Sequence, residues 1–77
     1  MNERSKLARR IRTAREGAKI SQGAAAYRAG MKRERLVRIE SGIEAPTAED
    51  VRTLAAMYGA NAEIWLTYLK VVKNDND

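Results

Sequence analysis

Apolar residues recur along this chain at the three- and four-residue spacings that are typical of amphipathic helices. The first stripe consists of Leu7, Ile11, Ala14 and Ala18. It predicts a helix from about residue 3 to residue 18 with one buried face. A second stripe of this kind consists of Val51, Leu54, Ala55 and Tyr58. Thr47 and Asp50 precede it with the spacing of a capping box, so we expect a helix that starts there and stops at Gly59.

Between these two helices, residues 22–41 predict two short helices joined by a sharp turn. The first is rich in alanine, which lets another helix approach closely, and Gly30 can adopt the positive φ that the turn requires. Ser21 is the expected N-cap of this helix. In the second short helix, Leu36 and Ile39 share one face, while the rest of its surface is cationic. The basic residues on that surface are Lys32, Arg33, Arg35 and Arg38.

The last predicted helix runs from about residue 62 to residue 73 after the expected N-cap Asn61, and it is apolar on nearly every side. One face of a small domain cannot bury all of these side chains, so we expect a second interface, most simply with another copy of the chain. The residues predicted at this dimer contact are Trp65, Leu66, Leu69 and Val72. The alternative is a core helix with a few exposed apolar groups. We expect one domain over residues 1–73 and a polar tail over residues 74–77.

Composition restricts the classes of function that this chain can have. Its 77 residues suffice for one small domain. It contains neither Cys nor His, so we expect no disulfide, no metal site and no cofactor. We also expect no enzymatic activity, because nothing suggests a catalytic pocket built from other residue types. No apolar run approaches the about 18 residues of a membrane span, and no signal peptide is evident. We therefore expect a cytoplasmic protein.

The charge is distributed unevenly along the chain, whose formal net charge is +5. Residues 1–41 contain twelve Lys or Arg residues and four acidic ones, whereas residues 42–77 contain three and six. The positive field therefore belongs to the half that contains the two short helices. Such a field favours a polyanion such as nucleic acid, because each neutralised phosphate releases counterions. An ordinary solvated basic surface is the alternative that charge alone leaves open.

The region of the two short helices resembles the helix-turn-helix of the phage lambda repressor and Cro type, the XRE-like family of bacterial and phage transcription regulators. The matching positions are Gln22, Ala26, Gly30, Leu36, Ile39 and the sequence I-E-S-G at residues 39–42. The resemblance covers about residues 7–69. It implies an all-α, five-helix domain that binds the major groove of double-stranded DNA as a homodimer and acts as a transcriptional repressor. The alternative is an antitoxin or phage accessory protein of the same fold that acts mainly through protein–protein contacts.

The resemblance also assigns roles to individual residues. The expected base-reading residues are Lys32, Arg33, Glu34, Val37 and Arg38. The expected phosphate contacts are Gln22, Arg12, Arg35 and Ser41. Arg15 and Glu40 are expected to form a buried or half-buried ion pair that has a structural role.

Four residues depart from the pattern of this family. Lys19 stands where relatives often have Gly, and we expect it to keep the left-handed turn at a cost of about 1 kcal/mol. Lys32 stands where Ser or Thr commonly caps the second short helix, which replaces a cap with a charge. Ile43 and Glu44 occupy a loop that is often basic in relatives. Glu44 therefore removes an expected phosphate contact and brings an acid near the expected path of the DNA.

Overall fold

The structure is a computed structural model that describes residues 2–75, and side-chain surroundings within residues 2–72. This part of the chain contains five helices and no strand, which confirms the predicted all-α fold of the lambda-repressor type. The helices are α1 (Glu3–Gly17), α2 (Gln22–Ala29), α3 (Arg33–Glu40), α4 (Ala48–Tyr58) and α5 (Ala62–Asp75). The last helix thus extends two residues beyond its predicted end. Met1, Asn76 and Asp77, which the predicted domain and tail include, lie outside the described residues.

The core lies where α1, α3, α4 and α5 meet, with α2 packed against α3 and α4. Its largest fully buried side chains are Leu7, Ile11, Leu36, Ile39, Val51 and Leu54. Each aliphatic side chain of this size stabilises the fold by about 1.5 to 3 kcal/mol through removal of apolar surface from water. In α2, Ala25 and Ala26 are buried, and their small size allows the close approach that the alanine-rich sequence predicts.

Side-chain caps fix the starts of most of these helices. The backbone N–H of Ala24 donates to Ser21 Oγ at 3.1 Å, as predicted for α2. At α4, the predicted capping box is present: the N–H of Asp50 donates to Thr47 Oγ1 at 3.0 Å, and the N–H of Thr47 donates to Asp50 Oδ2 at 2.9 Å. Asn61 caps α5 in the same manner. These local bonds satisfy N–H groups that have no partner inside a helix.

Four chain reversals have a left-handed backbone, at Lys19, Gly30, Gly42 and Gly59. Lys19 has a φ of 60° between α1 and α2, so the predicted turn is kept without glycine. Gly42 follows α3 with a φ of 78°. A Cβ atom at Gly42 would lie 3.3 Å from Ser5 Oγ and 3.4 Å from Ser5 Cα. Gly42 is therefore needed both for its backbone conformation and because the loop after α3 lies directly on the first turn of α1.

The structure changes the interpretation of α5. Trp65, Leu69 and Val72 are only 4, 2 and 3% exposed in the single chain, so they offer little surface to the predicted dimer contact. The reason is that α5 packs against both α1 and α4, which cover two of its sides instead of one. Trp65 also meets the ring of Tyr58 edge to face, with 6.5 Å between ring centroids. Of the predicted set, Leu66 alone is half-buried.

Candidate nucleic-acid interface

The two helices of the predicted corner meet at Gly30, which ends α2 with a φ of 71°. The N–H of Met31 donates to the carbonyl of Ala26 at 3.0 Å and closes this turn. On α3, Leu36 and Ile39 are buried in the core. The opposite side of this helix is therefore left facing solvent.

All five of the predicted base-reading residues lie on that solvent-facing side. They are Lys32, Arg33, Glu34, Val37 and Arg38, and each is exposed. At about 100° per residue, the four that belong to α3 itself span one continuous face of the helix. Lys32 is the N-cap, with extended backbone and no side-chain capping bond. The structure thus brings together the predicted set, and it leaves the start of α3 without a capping side chain.

A buried ion pair ties α3 to α1. Arg15 Nε donates to Glu40 Oε2 at 2.7 Å, and Arg15 Nη2 donates to Glu40 Oε1 at 3.0 Å. Arg15 Nη1 also donates to the carbonyl of Ile20 at 2.8 Å. The side chains of Arg15 and Glu40 are 11% and 2% exposed. The hydrogen bond to Glu40 raises the pKa of Arg15, so the guanidinium stays charged.

Gln22 takes part in the same network. Its amide Nε2 donates to Glu40 Oε1 at 3.0 Å, which links the first residue of α2 to the last residue of α3. This side chain was predicted to contact a DNA phosphate alone, and its contact with Glu40 was not predicted. An amide nitrogen has two hydrogens, so one remains for a second acceptor. Gln22 therefore helps to fix the angle between the two helices of the corner.

Arg35, a predicted phosphate contact, is bound by two carboxylates of the protein itself. Its Nε donates to Glu44 Oε2 at 2.6 Å and its Nη2 donates to Asp50 Oδ2 at 2.7 Å. On a helical projection Arg35 falls about 40° from the buried Ile39, on the inner flank of α3. Its guanidinium therefore joins α3 to the following loop and to α4. The contact of Arg35 with phosphate stays a prediction, and the structure adds two internal partners that were not predicted.

The carboxylates around Arg35 are held in their charged forms. Hydrogen bonds from Arg38 and Arg35 lower the pKa of Glu44. Burial acts to raise the pKa of Asp50, but hydrogen bonds from Arg35 and Thr47 outweigh it, and the pKa lies below its ordinary value. In turn, the hydrogen bond to Asp50 is the largest influence that raises the pKa of Arg35. Ion pairs thus join α3 both to the loop that follows it and to α4.

The remaining predicted phosphate contacts are at the surface. Ser41 is exposed and its Oγ donates to the carbonyl of Val37 at 2.7 Å, which leaves the oxygen able to accept but not to donate. Arg12 is exposed on α1.

A groove of about 690 Å³ between α1 and α5 is lined by basic and aromatic side chains, among them Arg10, which lies 4.9 Å above the ring of Tyr68. No residue of α2 or α3 lines this groove.

Residues 6–63 match the family model of the helix-turn-helix domain. The match covers more than half of the chain, so the chain belongs to the helix-turn-helix domain family, a family of DNA-binding domains. No curated protein matches it significantly. Across residues 2–75, none of the helices combines the length and the apolar character needed to cross a membrane. The same residues contain no group of three or more Asp or Glu side chains arranged to hold a metal ion.

Proposed function

We propose that this chain is a sequence-specific transcriptional regulator of the lambda repressor and Cro (XRE-like) type, a repressor that inserts α3 into the major groove of double-stranded DNA. The observation that carries this proposal is the division of α3 into two faces. Leu36 and Ile39 hold one face in the core, while charged side chains occupy the exposed face beside a tight helical corner. The major groove of B-DNA is wide enough to admit such a helix. The role is binding, without catalysis.

The chemistry of the exposed side chains suits the edges of the bases. Arg33 and Arg38 each carry a guanidinium that can donate two hydrogen bonds to O6 and N7 of guanine. Glu34 can accept from N4 of cytosine, and Val37 can contact the methyl group of thymine. Lys32, at the start of α3, can reach either a base edge or a phosphate. These residues would determine which sequence is preferred.

Phosphate contacts would set the position of the protein on the duplex without reading its sequence. The free N–H of the Gln22 amide, the guanidinium of Arg12 and the hydroxyl of Ser41 are the proposed contacts. Ser41 would have to exchange its hydrogen bond to the carbonyl of Val37 for one to the phosphate. The network around Glu40 supports this role, because it fixes Gln22 relative to α3. A phosphate that meets Gln22 would thus hold α3 in a defined register on the bases.

A homodimer would place two copies of α3 about 34 Å apart, one turn of DNA, and would match a pseudo-palindromic site. Because Trp65, Leu69 and Val72 are buried in the single chain, the contact would have to use Leu66 with the exposed Ile64 and Val71. The same burial reduces the apolar surface available to the alternative, an antitoxin or accessory protein that binds another protein through α5 and the basic face.

The experiment that tests the proposed function is an unbiased selection of bound sequences from random double-stranded DNA by the purified protein. We expect one enriched motif, with half-sites about 10 base pairs apart if the protein binds as a dimer. A protein with both Arg33 and Arg38 changed to Ala is the control, and it should lose the motif. Recovery of no enriched sequence by the wild-type protein would contradict the proposal.

A further inference from the structure

Glu44 lies between two arginines of α3 and binds both of them. Its Oε2 accepts from Arg35 Nε at 2.6 Å and its Oε1 accepts from Arg38 Nε at 2.9 Å. Arg35 is held from its other side by Asp50 at 2.7 Å, and Asp50 belongs to the capping box of α4. The carboxylate that Arg38 meets is therefore attached to the rigid part of the fold and not to a free loop.

The two arginines differ in what this arrangement leaves available. Arg35 uses both Nε and Nη2 on internal carboxylates, and its side chain is 26% exposed. Arg38 uses Nε alone, its side chain is 47% exposed, and its Nη1 and Nη2 donate no hydrogen bond to any described residue. Those two amino groups form the pair that can meet O6 and N7 of guanine end-on. Glu44 thus binds the side of the guanidinium that base reading does not need.

We propose that Glu44 is a positioning residue that sets the sequence preference of this protein by holding Arg38 ready for guanine. This inference rests on the proposed function. An arginine that is already ordered in the free protein avoids a loss in affinity of about 2- to 10-fold that ordering a flexible side chain on binding causes. The negative charge also opposes close contact with phosphates when Arg38 has no guanine to bind. Both effects increase the ratio of specific to non-specific affinity.

The test compares Glu44→Ala and Glu44→Gln with wild type on three DNAs, after thermal unfolding has shown that the variants are folded. The first DNA is the selected site. The second is the same site in which the G·C base pair that Arg38 reads is replaced by another pair, and the third has random sequence. We expect the variants to bind random DNA about 2- to 5-fold more tightly, because an acid near phosphates has been removed. The ratio of affinities for the selected site and for the site with the replaced G·C pair should fall about 5- to 10-fold, which is the lower part of the discrimination that a bidentate base contact provides.

Glu49→Gln is the matched control, since Glu49 is an exposed carboxylate in the first turn of α4 and its change alters the net charge equally. It should leave discrimination unchanged. In an Arg38→Ala protein, Glu44→Ala should cause no further loss of discrimination, because the residue that it positions is absent. Unchanged discrimination in Glu44→Ala, with equal gains on all three DNAs, would overturn the proposal.

A measurement without DNA separates this inference from the proposed function. In the free protein, the ¹⁵N-edited signal of the Arg38 Nε–H group should be protected from solvent exchange, and Glu44→Ala should abolish that protection. A wild-type protein with a protected signal but no preference among DNA sequences would refute the proposed function, and the positioning role with it. A sequence-specific wild-type protein whose Arg38 signal is unprotected would refute the positioning role alone.

Discussion

Removal of the carboxylate of Glu40 should destabilise the domain severely. In Glu40→Ala, the guanidinium of Arg15 loses two hydrogen bonds of 2.7 and 3.0 Å and its counterion, and keeps the carbonyl of Ile20. Gln22 also loses its acceptor. Because the Glu40 side chain is 2% exposed, water cannot readily replace it. Leaving one member of a buried pair uncompensated costs about 3 to 5 kcal/mol.

That cost is large relative to the whole stability of a domain of this size. At about 0.05 to 0.15 kcal/mol per residue, the free energy of unfolding should be about 4 to 12 kcal/mol. With a urea dependence of about 1 to 3 kcal/mol per molar, the midpoint of unfolding should fall by about 1 to 5 M. Urea titration followed by far-ultraviolet circular dichroism measures this shift. A variant that is unfolded without urea would agree with the lower end of the stability range.

Two further variants serve as controls for Glu40→Ala. Glu3→Ala breaks the exposed pair of Glu3 with Lys6, which should change stability by no more than about 1 kcal/mol. The double variant Arg15→Met with Glu40→Leu removes both charges, and it should recover most of the loss, because no buried charge is left unpaired. A midpoint for Glu40→Ala close to that of Glu3→Ala would refute the reasoning, since it would mean that the pair has no structural role.

Three further predictions concern the core, the backbone and pH. Leu54→Ala should reduce the free energy of unfolding by about 2 to 5 kcal/mol, because the Leu54 side chain is fully buried. Val37 is exposed, so Val37→Ala should change the free energy of unfolding by less than about 0.5 kcal/mol. Urea titration compares the two variants. Gly42→Ala should destabilise the fold by more than about 1 kcal/mol, because φ at this position is 78° and the α1 backbone is close. Gly23→Ala should stabilise the fold by about 0.4 to 1 kcal/mol, because the backbone there is helical and the new methyl group meets open space. Thermal unfolding measures both changes. Because the pKa of Asp50 is lowered in the folded protein, its carboxylate should stabilise the fold at pH values above the ordinary pKa of 3.8. This contribution should disappear as the pH falls through the folded pKa. Unfolding midpoints measured at several acidic pH values should therefore decrease less in Asp50→Asn than in wild type.

Local signals in the sequence explain why the helices could be predicted. The stripe that begins with Leu7 has the period of a helix. Ser21 and Thr47 each cap a helix by accepting a hydrogen bond from a backbone N–H three residues further along the chain. The match to a known helix-turn-helix pattern placed Gly30 at the turn. These features depend on neighbours in the chain, so the residues near each position contain the necessary information.

Contacts between distant residues could not be predicted in the same way. Arg35 meets Glu44 and Asp50, which lie 9 and 15 residues away. The helical period places Arg35 nearer to the buried Ile39 than Arg38, but it does not identify these partners. One signal was present: an acid in the loop directly after a basic helix. That acid was interpreted as an obstacle to DNA, although an internal partner among the arginines would also explain it.

The burial of α5 was misjudged for a related reason. A helix that is apolar all round is covered either by a partner or by several helices of its own chain. The pattern does not distinguish these cases, because they differ only in where α1 and α4 lie in space. In the structure those two helices cover Trp65 and Leu69, so the apolar surface that remains is much smaller than the sequence suggested.

The central claim is that the exposed face of α3 reads DNA sequence, and affinities for two DNAs test it most directly. Wild type, Arg33→Ala, Arg38→Ala and Gln22→Ala are titrated onto the selected site and onto scrambled DNA at two salt concentrations, with Arg52→Ala on α4 as a charge-matched control. The two α3 variants should lose about 1 to 3 kcal/mol on the selected site and much less on scrambled DNA. Gln22→Ala should weaken both DNAs by a similar factor, since phosphate contacts do not read sequence. Equal losses on both DNAs for Arg33→Ala and Arg38→Ala would contradict the claim that these residues lie against the bases.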